Sequence, residues 1–331
     1  MSHKPEGYDE MILADWWGIA TMFRCPYDSD PKNADIALVG VPHNKGIALS
    51  YRDQHLGPRA LRDVAAGYRK IHKKYQMAPW DVCRINDLGD VPLPNAMINA
   101  KCLKDIEAYY KTLDAAGARP VSVGGDHSIT LPILRAIAGA ESNISKEPIA
   151  VVHFDAHTDG YEGDFFGETE WAGSWARIMN EEGLVNPDKV FQIGMRGNPE
   201  YLGEDDPCIN AGYRIIEMDE FDQIGVNSVT KEIQEKIGDT PVYITLDLDV
   251  LDPSVCPGTT LPEPGFTGMT MRDITGILQG MRGMNVVGAD VVCLMPTKDS
   301  TNKIGMWNGM ALVFEQVCLI AEYFKSNGFN R

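Results

Sequence analysis

Short runs of unbroken apolar residues alternate along this chain with stretches in which apolar positions recur every three or four residues. The runs Asp35 to Val41 (DIALVGV), Arg119 to Gly124 (RPVSVG), Pro148 to Phe154 (PIAVVHF) and Pro241 to Leu246 (PVYITL) read as buried strands. Val190 to Gly194, Arg214 to Met218 and Asn285 to Leu294 read the same way. Helical spacing is found over Pro58 to Ile71, Ala100 to Ala116, Ile129 to Ala140, Val229 to Ile237, Thr270 to Met281 and Ile304 to Tyr323. Thr270 suits an N-cap, with Asp273 at the third helical position. Strands that lack polar alternation need cover on both faces. The pattern therefore predicts an α/β fold with a central, mostly parallel sheet between helices. No repeat, low-complexity segment or linker divides it. A single domain over residues 1–331 is expected, with 1–34 as an N-terminal extension or oligomer contact.

The chemistry in such sheets gathers at the carboxyl ends of the strands. Gly124-Gly125-Asp126-His127-Ser128 starts at one predicted strand end. Asp155-Ala156-His157-Thr158-Asp159 starts at a second, and Asp247-Leu248-Asp249 at a third. Residues two apart in an extended chain point the same way, so Asp155, His157 and Asp159 can converge, as can Asp247 and Asp249. Four carboxylates drawn together repel one another unless a cation compensates. Mixed imidazole and carboxylate donors suit manganese, nickel, cobalt or zinc better than calcium. Two such ions would lower the pKa of a shared water and make a nucleophile near neutral pH. A lone strand-end Asp is more often a cap; three strand ends repeating one chemistry are not explained that way. His153, inside an apolar strand, reads as a satisfied core histidine.

Composition narrows the partners. The formal net charge is −17, which repels phosphate backbones and excludes nucleic acid as a natural partner. It also suits a cationic small molecule. No apolar run in the sequence approaches the roughly 18 residues that cross a bilayer, and Met1 to Glu10 lacks the form of a secretory signal. The seven cysteines are odd in number, scattered and without a Cys-x-x-Cys pair. A reducing cytoplasm is expected, without disulfides or a zinc knuckle.

The runs GGDHSIT, HFDAHTDGY and TLDLDVLDPSVCPGTTLPEPGFTG resemble the three signature blocks of the ureohydrolases, the arginase and agmatinase family. Order and spacing fit from about Asp35 to the C-terminus. The resemblance implies an arginase-like α/β/α fold in trimers or hexamers, and hydrolysis of a guanidinium group to urea and an amine. It implies two divalent ions, manganese in most members and nickel in a few. His127 and Asp159 would hold one ion, His157 and Asp249 the other, and Asp155 and Asp247 both. Asp159, touching ion and nucleophile, would relay the proton to the leaving amine.

Two departures from the family pattern bear on the substrate. Ala172, in Trp171-Ala172-Gly173-Ser174-Trp175, stands where the family carries a proton-shuttling His. Cys293 stands where it carries a Glu that grips the guanidinium. The loop Gly46 to Pro58 also lacks the family's Arg-Pro-Gly wording. The expected activity is hydrolysis of an N-alkylated guanidine or a biguanide such as metformin, similar to the nickel-dependent hydrolases built from two homologous ureohydrolase chains. One alternative is a weak or silent chain that supports a homologue in a hetero-oligomer. Another is an agmatinase-like, guanidinobutyrase-like or formimino hydrolase. The loop Gly160 to Trp175 is expected as an active-site lid. Trp171 and Trp175 would offer aromatic faces to the substrate cation, with Thr158 and Cys293 lining the same pocket.

Overall fold

A computed structural model describes residues 18–47, 53–199, 201–263, 265 and 267–328. Eight strands form one sheet: β1 (Ile36–Val41), β2 (Ile85–Asp90), β3 (Arg119–Gly124), β4 (Ile149–Phe154), β5 (Val185–Met195), β6 (Arg214–Glu217), β7 (Val242–Asp247) and β8 (Val286–Val292). Their order is β2-β1-β3-β8-β7-β4-β5-β6, and every neighbouring pair is parallel. Parallel neighbours need crossovers, and helices supply them. These are α1 (Gly57–Ala65), α2 (Asn99–Ala116), α3 (Thr130–Ile137), α4 (Trp175–Glu181), α5 (Pro207–Asn210), α6 (Met218–Ile237), α7 (Met271–Gly280) and α8 (Ile304–Ser326).

Two apolar clusters flank the sheet. In β4, Ala150, Val152 and Phe154 join the cluster under α1, α6, α7 and α8. Ile149 and Val151 point the other way and pack with α2, α3 and α4. This alternation of burial on both faces produces the expected three-layer α/β/α arrangement. Helix α8 is long and apolar enough to cross a membrane by length and composition. Its apolar window is 78% buried inside the fold, so its hydrophobicity is that of a core helix. Thr270 and Asp273 form the reciprocal cap at the start of α7.

Differences from the sequence reading have local causes. Strand β2 is polar because it is an edge strand. Its Asp87 accepts from the Arg62 guanidinium of α1 at 2.8 Å. Strand β5 begins at Val185, ahead of its apolar run, and takes up Asn186 to Lys189 in an irregularity of the pairing with β4. Helix α1 ends at Ala65, before Gly67, so Tyr68 leaves the helix and packs its ring on Phe314. Helix α6 starts eleven residues early, at Met218, because a break at Gly225 (φ 71°) interrupts the helical spacing. Of the segment 1–34, residues 1–17 lie outside the described residues. Further along it, Phe23 is buried against Tyr68, Trp80 and Phe314.

Candidate metal centre

Strands β3, β4 and β7 are brought near one another by the crossovers, and each ends in a polar cluster. At the end of β3 the chain turns sharply beside the backbone leaving β1. Gly125 donates to the Val41 carbonyl and Asp126 to the His43 carbonyl. A Cβ at Gly125 would lie 2.2 Å from the His43 oxygen, so no larger residue fits without moving main chain. That turn carries His127 inward, where it is 1% exposed. We expect Gly125→Ala to cost about 1–3 kcal/mol through this overpacking. It should lower bound metal together with the melting midpoint; an unchanged midpoint would show that the turn adapts.

The His127 ring faces three carboxylates through one nitrogen. Its Nδ1 lies 3.0 Å from Asp155 Oδ2, 3.0 Å from Asp159 Oδ2 and 3.4 Å from Asp247 Oδ2. Its Nε2 is 2.8 Å from the Thr245 hydroxyl. That hydroxyl donates its own proton to Asp290 Oδ1 at 2.7 Å, so it accepts from His127 Nε2–H. In the neutral ring this tautomer leaves a bare Nδ1 lone pair, buried and without a protein donor, aimed at carboxylate oxygens. A lone pair opposed to three carboxylates is repulsive unless a cation sits between them. The donor set therefore fits a divalent ion.

A second focus lies beside the first. His157 Nδ1 is 3.3 Å from Asp155 Oδ1 and 3.3 Å from Asp249 Oδ2. Its Nε2 pairs with Glu263 Oε1 at 3.1 Å. The two oxygens of Asp155 thus point to different histidines, the arrangement a shared ligand needs. His127, His153, Asp155 and Asp159 form one group able to hold an ion; Asp155, His157 and Asp249 form another. His153 is less suited than that grouping suggests. Its Nδ1 accepts from the Gln192 amide at 3.1 Å and its Nε2–H donates to Asp155 Oδ2 at 2.8 Å. Both nitrogens are engaged, so it orients Asp155.

Burial, with Asp247 and Asp155 beside it, pushes the Asp249 carboxyl well above the usual range; burial and Asp155 push Asp247 up. Asp155 goes the other way. Burial opposes its ionisation, but the imidazoles of His127, His153 and His157 around it hold it well below the usual range. For His127, burial disfavours the charged ring, while Asp155, Asp159 and Asp247 raise its pKa well above the ordinary value. Crowded acids with raised pKa values are what a divalent cation would reverse.

The residues expected to meet substrate fall in different places. Cys293 is buried at the end of β8 with φ 66°, its N–H donating to the Gly125 carbonyl. Burial, with Asp247 and Asp249 nearby, raises its thiol well above the usual range and keeps it neutral. Thr158 turns its hydroxyl to Asp206 at 2.9 Å. Trp171 stacks on Phe165, centroids 4.3 Å apart, with Tyr161 at 5.4 Å. Trp175 differs from the expected open aromatic face. It begins α4, is fully buried, and donates its indole N–H to Asp159 Oδ2.

The loop Gly160 to Trp175 is tied down at several points. Ala172 donates to the Gly46 carbonyl at 2.7 Å, Tyr161 to the Gly173 carbonyl at 2.8 Å, and Asn99 Nδ2 to the Glu170 carbonyl at 2.7 Å. Of the early loop Gly46 to Pro58, residues 48–52 lie outside the described residues. Sequence reasoning missed Glu263, although it sits inside the third signature block. It also missed Gln192 and Asp290, whose partners are distant in sequence.

Beside His157 a cavity of about 290 Å³ opens between Thr158, Tyr161, Tyr201, Asp206 and Glu217. Its cation, Arg196, is turned to the main chain, donating to the carbonyls of Asp249, Val250 and Leu251.

Comparison with known proteins agrees with this geometry. Residues 34–318 match the arginase family model. The guanidinopropionase of Pseudomonas aeruginosa is 38% identical over 96% of this chain and 96% of its own. The mitochondrial agmatinase of Gallus gallus is 33% identical over 92% of this chain and 86% of its own. The structure of proclavaminate amidinohydrolase from Streptomyces clavuligerus superposes with a TM-score of 0.85 at 31% identity, covering 94% of this chain and 99% of that one. This chain belongs to the arginase family and is a ureohydrolase-type amidinohydrolase, a hydrolase of guanidino compounds.

Proposed function

We propose that this chain hydrolyses a compact cationic guanidine without a carboxylate, releasing urea or a urea-like product and an amine. The observation that carries this reading is the cavity beside His157. Asp206 and Glu217 line it, Tyr161 and Tyr201 wall it, and its Arg196 turns its terminal nitrogens to backbone carbonyls. Among these described lining residues a carboxylate tail meets two carboxylates and one guanidinium whose terminal nitrogens already donate to main-chain carbonyls, whereas an ammonium or alkyl tail is accommodated. His127 and Asp159 would hold one divalent ion, His157 and Asp249 the other, and Asp155 and Asp247 both. Manganese or nickel fits these donors. Such a pair supplies a water of lowered pKa and charge stabilisation. Glu263 orients His157, His153 orients Asp155, and Asp159 passes a proton toward the leaving nitrogen.

Urea release from agmatine, 4-guanidinobutyrate, 3-guanidinopropionate, dimethylguanidine and metformin tests this. An anionic tail near either carboxylate costs on the order of 1–4 kcal/mol at a surface-like dielectric. The two guanidino acids should therefore trail the cationic substrates by about tenfold or more in kcat/KM. A guanidino acid as the best substrate refutes the reading.

Among cationic guanidines, Cys293 favours the N-alkylated ones and biguanides. Its neutral thiol offers no second charge-assisted hydrogen bond to an unsubstituted guanidinium, a contact worth roughly 1.5–3 kcal/mol. Agmatine should then be turned over about ten- to a hundredfold less well than the best alkylated substrate.

A second reading, a silent partner of a homologous chain, is favoured by Ala172 and Cys293 standing in place of the family's His and Glu. Arginase-family proteins commonly form homo-oligomers; a trimer or hexamer is proposed for this one. Urea release by the purified chain alone counts against the silent reading. The cysteines are free and buried, which fits a cytoplasmic location.

A further inference from the structure

Asp159, alone among the six candidate ligands, has its backbone in the left-handed region, at φ 50°. Such a conformation is unfavourable for a residue with a side chain and needs support from its surroundings. The first turn of α4 gives that support twice. Ala176 N–H donates to the Asp159 carbonyl at 3.2 Å. Trp175 Nε1–H donates to Asp159 Oδ2 at 2.7 Å. The indole is wedged beneath two imidazoles, its ring centroid 4.7 Å from His127 and 4.9 Å from His153. It is fully buried, and its single polar atom is aimed at the ligand. Oδ2 is also the oxygen 3.0 Å from His127 Nδ1. Among the described residues no hydrogen bond reaches Oδ1.

We infer that Trp175 is a positioning residue of the metal centre, fixing Asp159 so that its two oxygens have different tasks. This rests on the two-ion reading above. Oδ2, held by the indole and 3.0 Å from His127 Nδ1, is the oxygen that would hold an ion together with His127. Oδ1 is the oxygen that takes a proton from the attacking water and passes it to the departing amine nitrogen, after which the carboxylate is restored. Trp175 itself touches no reacting atom.

Two variants separate the N–H from the bulk of the ring. Trp175→Phe keeps an aromatic ring under His127 and His153 and removes the donor. Incorporating the benzothiophene isostere of tryptophan at 175 removes only the donor and keeps the volume. In calorimetric titration of the chelated full-length protein with manganese, both variants should bind the His127-side ion about ten- to a hundredfold more weakly. The His157-side ion should be held within a few-fold of the parent. The isostere should keep the parental melting midpoint in the metal-free state, since packing is intact. An isostere that binds both ions with parental affinity overturns the inference and leaves Trp175 as packing. A parent that binds no manganese or nickel removes the two-ion reading and this inference with it; two ions bound with equal affinities in parent and isostere remove the inference alone.

Discussion

Asn in place of Asp155 or Asp247 should strip at least one of two ions from the protein and lower urea release by about a thousandfold or more. The size follows from the several kcal/mol of charge stabilisation that a bound metal gives a transition state. Asp155 is the more telling position. Its Oδ2 sits 2.8 Å from His153 Nε2 and 3.0 Å from His127 Nδ1, while its Oδ1 accepts the His157 N–H at 2.7 Å. An amide nitrogen on the Oδ2 side would meet the His153 N–H, and on the Oδ1 side the His157 N–H. Either orientation sets donor against donor. Stability should respond with opposite signs in the two states of loading. With metal in thousandfold excess over its dissociation constant, the parent gains about 4 kcal/mol per ion, and the variants gain less. Without metal, Asp247→Asn should melt at or above the parent. It removes one of the crowded carboxylates whose neighbours push Asp249 well up. Elemental analysis and paired melting curves with and without chelator read both effects. Two ions retained in both Asn variants would sink the ligand assignment.

What the sequence made legible is what depends on short range. The strands ending at Gly124, Phe154 and Asp247 could be read because they are interior and continuously apolar. The clusters at their ends could be read because acid and imidazole at alternate positions are rarely needed by a fold. Edge strand β2 could not, since its outer side carries an isolated bridge at Tyr27 in place of a full strand and its Asp87 is neutralised by Arg62. Helix α4 could not, because its first residue, Trp175, belongs as much to the site as to the helix. The partners of the ligands were out of reach for a different reason. Glu263 meets His157 across 106 residues, and Thr245 meets His127 across 118. Asp290 is a single acid inside the apolar run Asn285 to Leu294, with nothing in that run to mark its partners. No periodicity announces such contacts; the sheet order alone makes them.

Asp290→Ala should cost about 3 kcal/mol or more in stability and weaken the His127-side ion about ten- to a hundredfold. The carboxylate is fully buried in β8. It accepts three hydroxyl hydrogen bonds, from Thr245 at 2.7 Å, Tyr243 at 2.8 Å and Thr130 at 2.9 Å. Burial, with Asp290 beside it, holds the Tyr243 phenol well above its ordinary pKa, so that hydroxyl remains a donor. Removing the acceptor leaves three buried donors in a low-dielectric interior, where each unsatisfied group costs on the order of 1–3 kcal/mol. The effect then travels one bond further. With its acceptor gone, the Thr245 hydroxyl can donate to His127 Nε2. That allows the proton to move to Nδ1, the nitrogen that faces Asp155, Asp159 and Asp247. A protonated Nδ1 cannot ligate. Asp290→Asn should do less harm on both counts, because one oxygen remains for Thr245 while the amide donates to hydroxyls that can turn and accept. The nitrogen shifts of the His127 ring report the tautomer directly, and calorimetry reports the ion. If Asp290→Ala keeps the parental melting midpoint, both ions and the Nε2–H tautomer, the network does not govern how His127 meets the metal.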